Sequence, residues 1–134
     1  MKRETEQWLK YADENLQSAK VLMDSGLFNP CLQNIQQAIE KYLKAVLTER
    51  DLGLIKTHSI RTLINILTEN GISLSSTDDE IDLIDSIYLP SKYPAFSVLP
   101  DFVPDLKTCM DCFGTLERLK EEVLSNLNRE GVAE

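Results

Sequence analysis

The chain has one histidine, one tryptophan and three cysteines among its 134 residues, and each scarcity closes off a class of chemistry. A lone histidine has no second histidine with which to build a metal site, and no metal or cofactor is expected. An odd cysteine count without a secretion leader argues for reduced thiols rather than a disulfide framework. Cys109 and Cys112 do form a CxxC in TCMDCFG. No second CxxC or nearby histidine completes a zinc site, and no strand or glycine-rich turn precedes the pair as in a thioredoxin-like motif. They read as buried or half-buried helical cysteines.

Positive charge is also short. A net charge of −8 opposes a general, phosphate-driven attraction to nucleic acid, which needs a clustered basic footprint; a local basic patch is still compatible with it. The opening MKRETEQWLK lacks the apolar core of a signal peptide, and no stretch approaches the roughly 20 apolar residues that span a bilayer. The expected location is the cytoplasm, with no membrane partner. There is no internal repeat, low-complexity tract or second domain, so residues 1–134 are expected to form one domain with a frayed tail from about 128.

What is present is helical periodicity. Leu9, Ala12, Leu16, Ala19 and Met23 recur at steps of three and four, one stripe of an amphipathic helix that Gly26 ends. A second helix is predicted after the cap Asn29 and the proline Pro30, with Leu32, Ile35, Ile39, Tyr42 and Val46 on one face and Gly53 near its end. A third starts near Thr57 and His58 and buries Ile60, Leu63, Ile64 and Leu67 before Asn70-Gly71. Thr77 to Glu80 form a capping box for a fourth, with Ile81, Ile84 and Tyr88 inward. Four of the five prolines then fall at 90, 94, 100 and 104, predicting a long loop whose Tyr93, Phe96, Val98 and Phe102 pack against something. A last helix from near Pro104 uses Leu106, Cys109, Phe113, Leu116, Val123 and Leu127. The expected fold is all-α, an up-and-down bundle of four to five antiparallel helices.

Helix two and the turn after it carry the candidate chemistry. At 100° per residue its apolar arc leaves Gln37, Lys41 and Lys44 on the far side, and Lys56 and His58 follow in the turn. Together these could hold a phosphate; lysines opposite an apolar arc also read as a solvated face. His58 stands at a helix start, where free N–H groups attract anions, although Thr57 could cap that helix and leave His58 to packing. Gln36 projects at the core margin with Glu40 just beyond it. An amide there needs a partner from the protein, a water or a ligand, because leaving it unpaired costs on the order of 1–3 kcal/mol.

The order QQAIEKYLKAVL, a turn, KTHSIRTLI, an acidic helix and YLPSKYP, preceded by a helix with Trp8, Ala12, Leu16 and Ala19, resembles the HEPN family, the higher eukaryotes and prokaryotes nucleotide-binding domain. The resemblance covers nearly the whole chain. It implies a helical bundle, often a homodimer, frequently encoded beside a small nucleotidyltransferase in toxin and antitoxin pairs. Many active members are metal-independent ribonucleases with an arginine, four to six residues, then a histidine; here seven residues separate Arg50 from His58, and Arg61 follows it. The family's nuclease pair therefore has no match. Lys92-Tyr93-Pro94 stands where relatives commonly have arginine-tyrosine-proline, keeping the charge but losing the bidentate fork.

The reading that results is a non-catalytic HEPN protein that dimerises and binds a nucleotide or a nucleotidyltransferase partner. The candidate contacts are Gln37, Lys41, Lys44, Lys56, His58, Lys92 and Tyr93. The alternatives are a ribonuclease in which His58 acts with Arg50 or Arg61 across a dimer interface, and a purely structural interaction bundle.

Overall fold

A computed structural model describes residues 1–53, 55–92 and 103–133, without the side chains of 89–92 and 129–133. The expected packing of Tyr93, Phe96, Val98 and Phe102 lies outside the described residues, as do most side chains of the expected frayed tail. Five helices follow one another: α1 (Arg3–Asp24), α2 (Phe28–Glu49), α3 (Ile60–Glu69), α4 (Asp78–Lys92) and α5 (Leu106–Ala133). No strand occurs among the described residues. None of the described helices is long and apolar enough to cross a membrane. The fold is the all-α bundle that the periodicity predicts.

α2 is the central helix, packed against α1, α3, α4 and α5. Its Leu32, Ile35, Ile39, Leu43 and Leu47 are fully buried, and they meet Ala12 and Ala19 of α1, Leu63 and Leu67 of α3, Ile84 and Ile87 of α4, and Leu116 and Val123 of α5. No α2 residue from Cys31 onward is exposed. This corrects the solvated face drawn for Gln37, Lys41 and Lys44, which are half-buried. A helical wheel sees only one helix's own pattern, whereas here four neighbours close around it.

Helix directions can be read from the side-chain bonds. α1 and α2 are antiparallel, since Lys2 reaches Glu49 and Asp51 at one end while Asn15 meets Asn34. α5 runs alongside α2 in the same direction: Cys109 lies against the Phe28 carbonyl, and Lys120 sits over the Tyr42 ring. Thr57 to Ser59 lie back alongside α2. This places His58 beside Gln36 and Glu40, deep in the middle of that helix.

Several boundaries differ from the periodicity. Asn29 does not cap α2; Leu27 holds that position without a side-chain bond, because the turn at Gly26 is already closed by Leu27 N–H on the Leu22 carbonyl. Pro30 still falls in the first turn, where its missing donor costs nothing. α2 ends before Gly53: Asp51 adopts φ 56°, and Leu52 N–H returns to the Leu47 carbonyl at 2.9 Å, the closing bond of a Schellman turn. α3 is capped by Ser59, which accepts from Thr62 N–H, rather than by Thr57. α4 continues through Pro90 to Lys92. Near a helix end, proline's helical φ is compatible and only one bond is lost. α5 begins near Pro104 as expected, after Asp105, whose carboxylate accepts from Thr108 N–H at 2.8 Å.

The capping box at α4 is present, with Thr77 N–H on Glu80 at 2.9 Å and Glu80 N–H on Thr77 Oγ1 at 3.1 Å. Glu80 also joins α4 to α5, accepting from Arg118 at 2.6 Å and the Thr115 hydroxyl at 3.0 Å. Arg118 foremost, then Thr77 N–H, pulls its carboxyl from 4.5 down to about 2. A folded value below the unfolded one of about 4.3 stabilises above that pH and loses its contribution as the pH falls toward 2. Urea midpoints should therefore drop across this interval. Glu80→Gln should lower the midpoint at pH 7 and flatten the acid decline.

Cys31, Cys109 and Cys112 are free and buried, as expected for the CxxC pair Cys109 and Cys112. Burial pushes the Cys31 and Cys112 thiols up to about 12, so they stay protonated and unreactive. No cluster suited to a metal ion occurs among the described residues.

Candidate functional site: a Glu40-centred seam on α2

Gln36, Glu40 and Lys44 repeat every four residues and so share one flank of α2. Gln36 is 1% exposed and Glu40 4%. Glu40 is the hub. Its Oε1 accepts from Gln36 Nε2 at 3.3 Å and lies 3.0 Å from His58 Nδ1, while its Oε2 is 3.0 Å from Lys44 Nζ. Gln36 Nε2 also donates to the His58 carbonyl at 3.1 Å, and Gln36 Oε1 accepts from Gln37 at 2.8 Å. The amide at the core margin thus finds its partners within the chain, and it braces the loop to the helix.

His58 is set just before α3, with its side chain 56% exposed. Its ring stacks on Tyr88 of α4 at 4.8 Å and 13° between planes. Thr57 Oγ1 accepts from Ser59 N–H at 3.1 Å, tightening the loop rather than capping the helix. The start of α3 is already filled by a carboxylate: Asp85 accepts from Ile60 N–H at 2.6 Å and Arg61 N–H at 3.1 Å, with Ser59 Oγ at 3.4 Å. The free N–H groups anticipated beside His58 are therefore occupied. Replacing Asp85 with alanine would orphan two half-buried donors and should cost about 1–2 kcal/mol, read from urea unfolding.

Of the predicted contacts, the structure brings Lys44 and His58 onto Glu40, and Gln37 onto Gln36. Lys41 turns toward α1, donating to Asn15 at 2.6 Å. Lys44 also lies over the Trp8 ring, 5.7 Å from its centre. Lys56 is exposed in the loop. The Lys92 side chain and Tyr93 lie outside the described residues. Trp8 further walls a hollow of about 470 Å³, shared with Tyr11, Leu47 and Thr48, between α1 and the end of α2. The periodicity placed Glu40 at the rim and Tyr88 on the inner face of the fourth helix, and it did not single out Asp85 or Asn15. The i, i+4 spacing of Gln36, Glu40 and Lys44 was a usable signal for the hub; the others come from distant segments.

A family model for the HEPN domain matches residues 5–127. The chain belongs to the HEPN family. Among solved structures, the HEPN fold recurs in ST0689, an archaeal HEPN homologue, at TM-score 0.69 and 24% identity over 94% of this chain and 98% of that one. It recurs also in TT1696 from Thermus thermophilus, at TM-score 0.74 and 20% identity over 92% and 98%. No curated protein matches.

Within this HEPN domain the arginine that follows His58 is committed elsewhere. Arg61 bonds Asp78 at 3.2 Å and Asp82 at 2.6 Å, and these carboxylates raise its already high pKa. It is anchored to α4 through paired aspartates, away from the carboxylate that holds the histidine.

Proposed function

We propose that this HEPN protein is a non-catalytic binding member. It dimerises and takes a nucleotide, or a nucleotidyltransferase-fold partner, near Lys41, Lys44, Lys56 and His58, as one half of a toxin and antitoxin pair. The supporting observation is convergence: in a chain of net charge −8, Lys44 and a half-exposed His58 meet on one buried carboxylate beside the Tyr88 ring. Lys92 and Tyr93 belong to the proposed contact on their place in the sequence. Against nuclease chemistry stand the Arg50 spacing and the engagement of Arg61 by two aspartates.

Calorimetric titration with ATP and GTP tests the ligand half, with saturable heat expected and its loss expected in His58→Ala. An absence of heat at millimolar nucleotide would remove that half. Co-expression with a neighbouring nucleotidyltransferase tests the partner half, where failure to co-purify counts against it. Incubation with tRNA and mRNA should leave both intact; cleavage lost in His58→Ala would instead support a ribonuclease.

The second reading, a purely structural bundle, draws on the internal satisfaction of Gln36, Glu40 and Lys44. It is preferred if the chain dimerises with the seam inside protein contacts and binds no nucleotide.

A further inference from the structure

The bonds around Glu40 go further, to which part of a ligand His58 would meet. An ionised carboxylate only accepts hydrogen bonds. Glu40 is held as such by Lys44 at Oε2 and by the Gln36 amide at Oε1. The ring nitrogen 3.0 Å from Oε1 is Nδ1, and it can complete this arrangement only by donating. In a neutral imidazole the proton then sits on Nδ1, and Nε2 carries a lone pair. A carboxylate on one ring nitrogen fixing the role of the other is the arrangement by which second partners orient metal-bound histidines.

Three further contacts hold this segment, two on its backbone and one on the ring. Gln36 holds the His58 carbonyl at 3.1 Å, Thr57 ties the next residue, and Tyr88 covers one face of the ring. Nε2 has no hydrogen-bond partner among the described residues, and it lies on the edge opposite Glu40 of a side chain that is 56% exposed. We infer that Glu40 acts as a positioning residue that locks His58 as an outward hydrogen-bond acceptor, so that His58 recognises a hydroxyl or amino group of the nucleoside portion and not a phosphate.

Phosphate oxygens at neutral pH are acceptors, and an Nε2 lone pair offers them nothing. The sequence reading that grouped His58 with the lysines as phosphate ligands is thereby divided: His58 takes the nucleoside and leaves any phosphate to the lysines. This rests on the nucleotide half of the proposed function, but the tautomer is independent of it.

Because His58 is the only histidine, long-range proton–nitrogen correlation of the imidazole reports it without overlap. Free protein, at a pH where the ring is neutral, should show Nδ1 protonated and Nε2 unprotonated. In Glu40→Gln, whose amide can either donate or accept, both tautomers should appear. Adenosine or guanosine should move the Nε2 resonance toward the hydrogen-bonded range, while inorganic pyrophosphate leaves it in place. An Nε2-protonated ring in free wild-type protein overturns the inference, and so does pyrophosphate protonating the ring at both nitrogens. A correct tautomer that no nucleoside perturbs overturns the ligand assignment, and calorimetry with ATP then tells whether nucleotide binding itself has failed.

Discussion

Glu40→Ala is expected to destabilise the protein by about 3–5 kcal/mol, the usual consequence of breaking a buried ion pair by removing one partner. Among the described residues Glu40 is the sole partner shown for Lys44 Nζ other than the Trp8 ring, and the Lys44 side chain is only 12% exposed. Alanine also strips a bond from the Gln36 amide and from His58 Nδ1. His58 is half-exposed and regains water, so its share is small; the cost comes from the ammonium left beside the core. Converting both partners together should behave differently. A Glu40→Met, Lys44→Met double variant carries no unpaired charge, and buried pairs replaced by packed apolar groups are often neutral in stability. Urea unfolding of the two variants separates these cases. A single variant within about 1 kcal/mol of the parent would mean that Lys44 does not depend on Glu40 as its buried partner.

Ile39→Ala should cost about 2–5 kcal/mol, the range for truncating a large aliphatic side chain that cannot collapse its cavity. Ile39 is fully buried on the one helix that every other helix contacts. The site is surrounded, so relaxation would have to move several helices at once. Ile39→Val removes a single methyl group and should cost about 0.5–1.5 kcal/mol. Val21, 64% exposed on α1, supplies the control: Val21→Ala should stay within about 0.5 kcal/mol. Equal effects at positions 39 and 21 would contradict the central placement of α2.

Much of this arrangement is legible in the chain because it depends on local pattern. The stripe Ala12, Leu16, Ala19 and the arc Leu32, Ile35, Ile39 and Leu43 are all buried, and the Thr77–Glu80 box forms as its spacing requires. The errors lie where a tertiary partner displaces a local one. Thr57 looks like a cap, but Ser59 and the distant Asp85 take the α3 donors. Gly53 looks like a stop, but Asp51, whose side chain pairs with Lys2, reverses the chain first. Lys41 and Lys44 look solvated on a wheel because a wheel cannot place Asn15 or Trp8 against them.

The candidate site was legible to the same degree. Helix two and its turn named Lys44 and His58, and the family resemblance named the fold. Glu40 as their common partner depends on His58 being returned to the middle of α2, and no spacing rule encodes that return.

The most direct test of the seam as the binding surface is amide-resolved chemical-shift mapping while ATP is added to the protein. Perturbations centred on Lys41, Lys44, Lys56, His58 and Ser59, and absent in His58→Ala, are the predicted result. Shifts confined to the Trp8 and Tyr11 hollow, or none at saturating nucleotide, would contradict it.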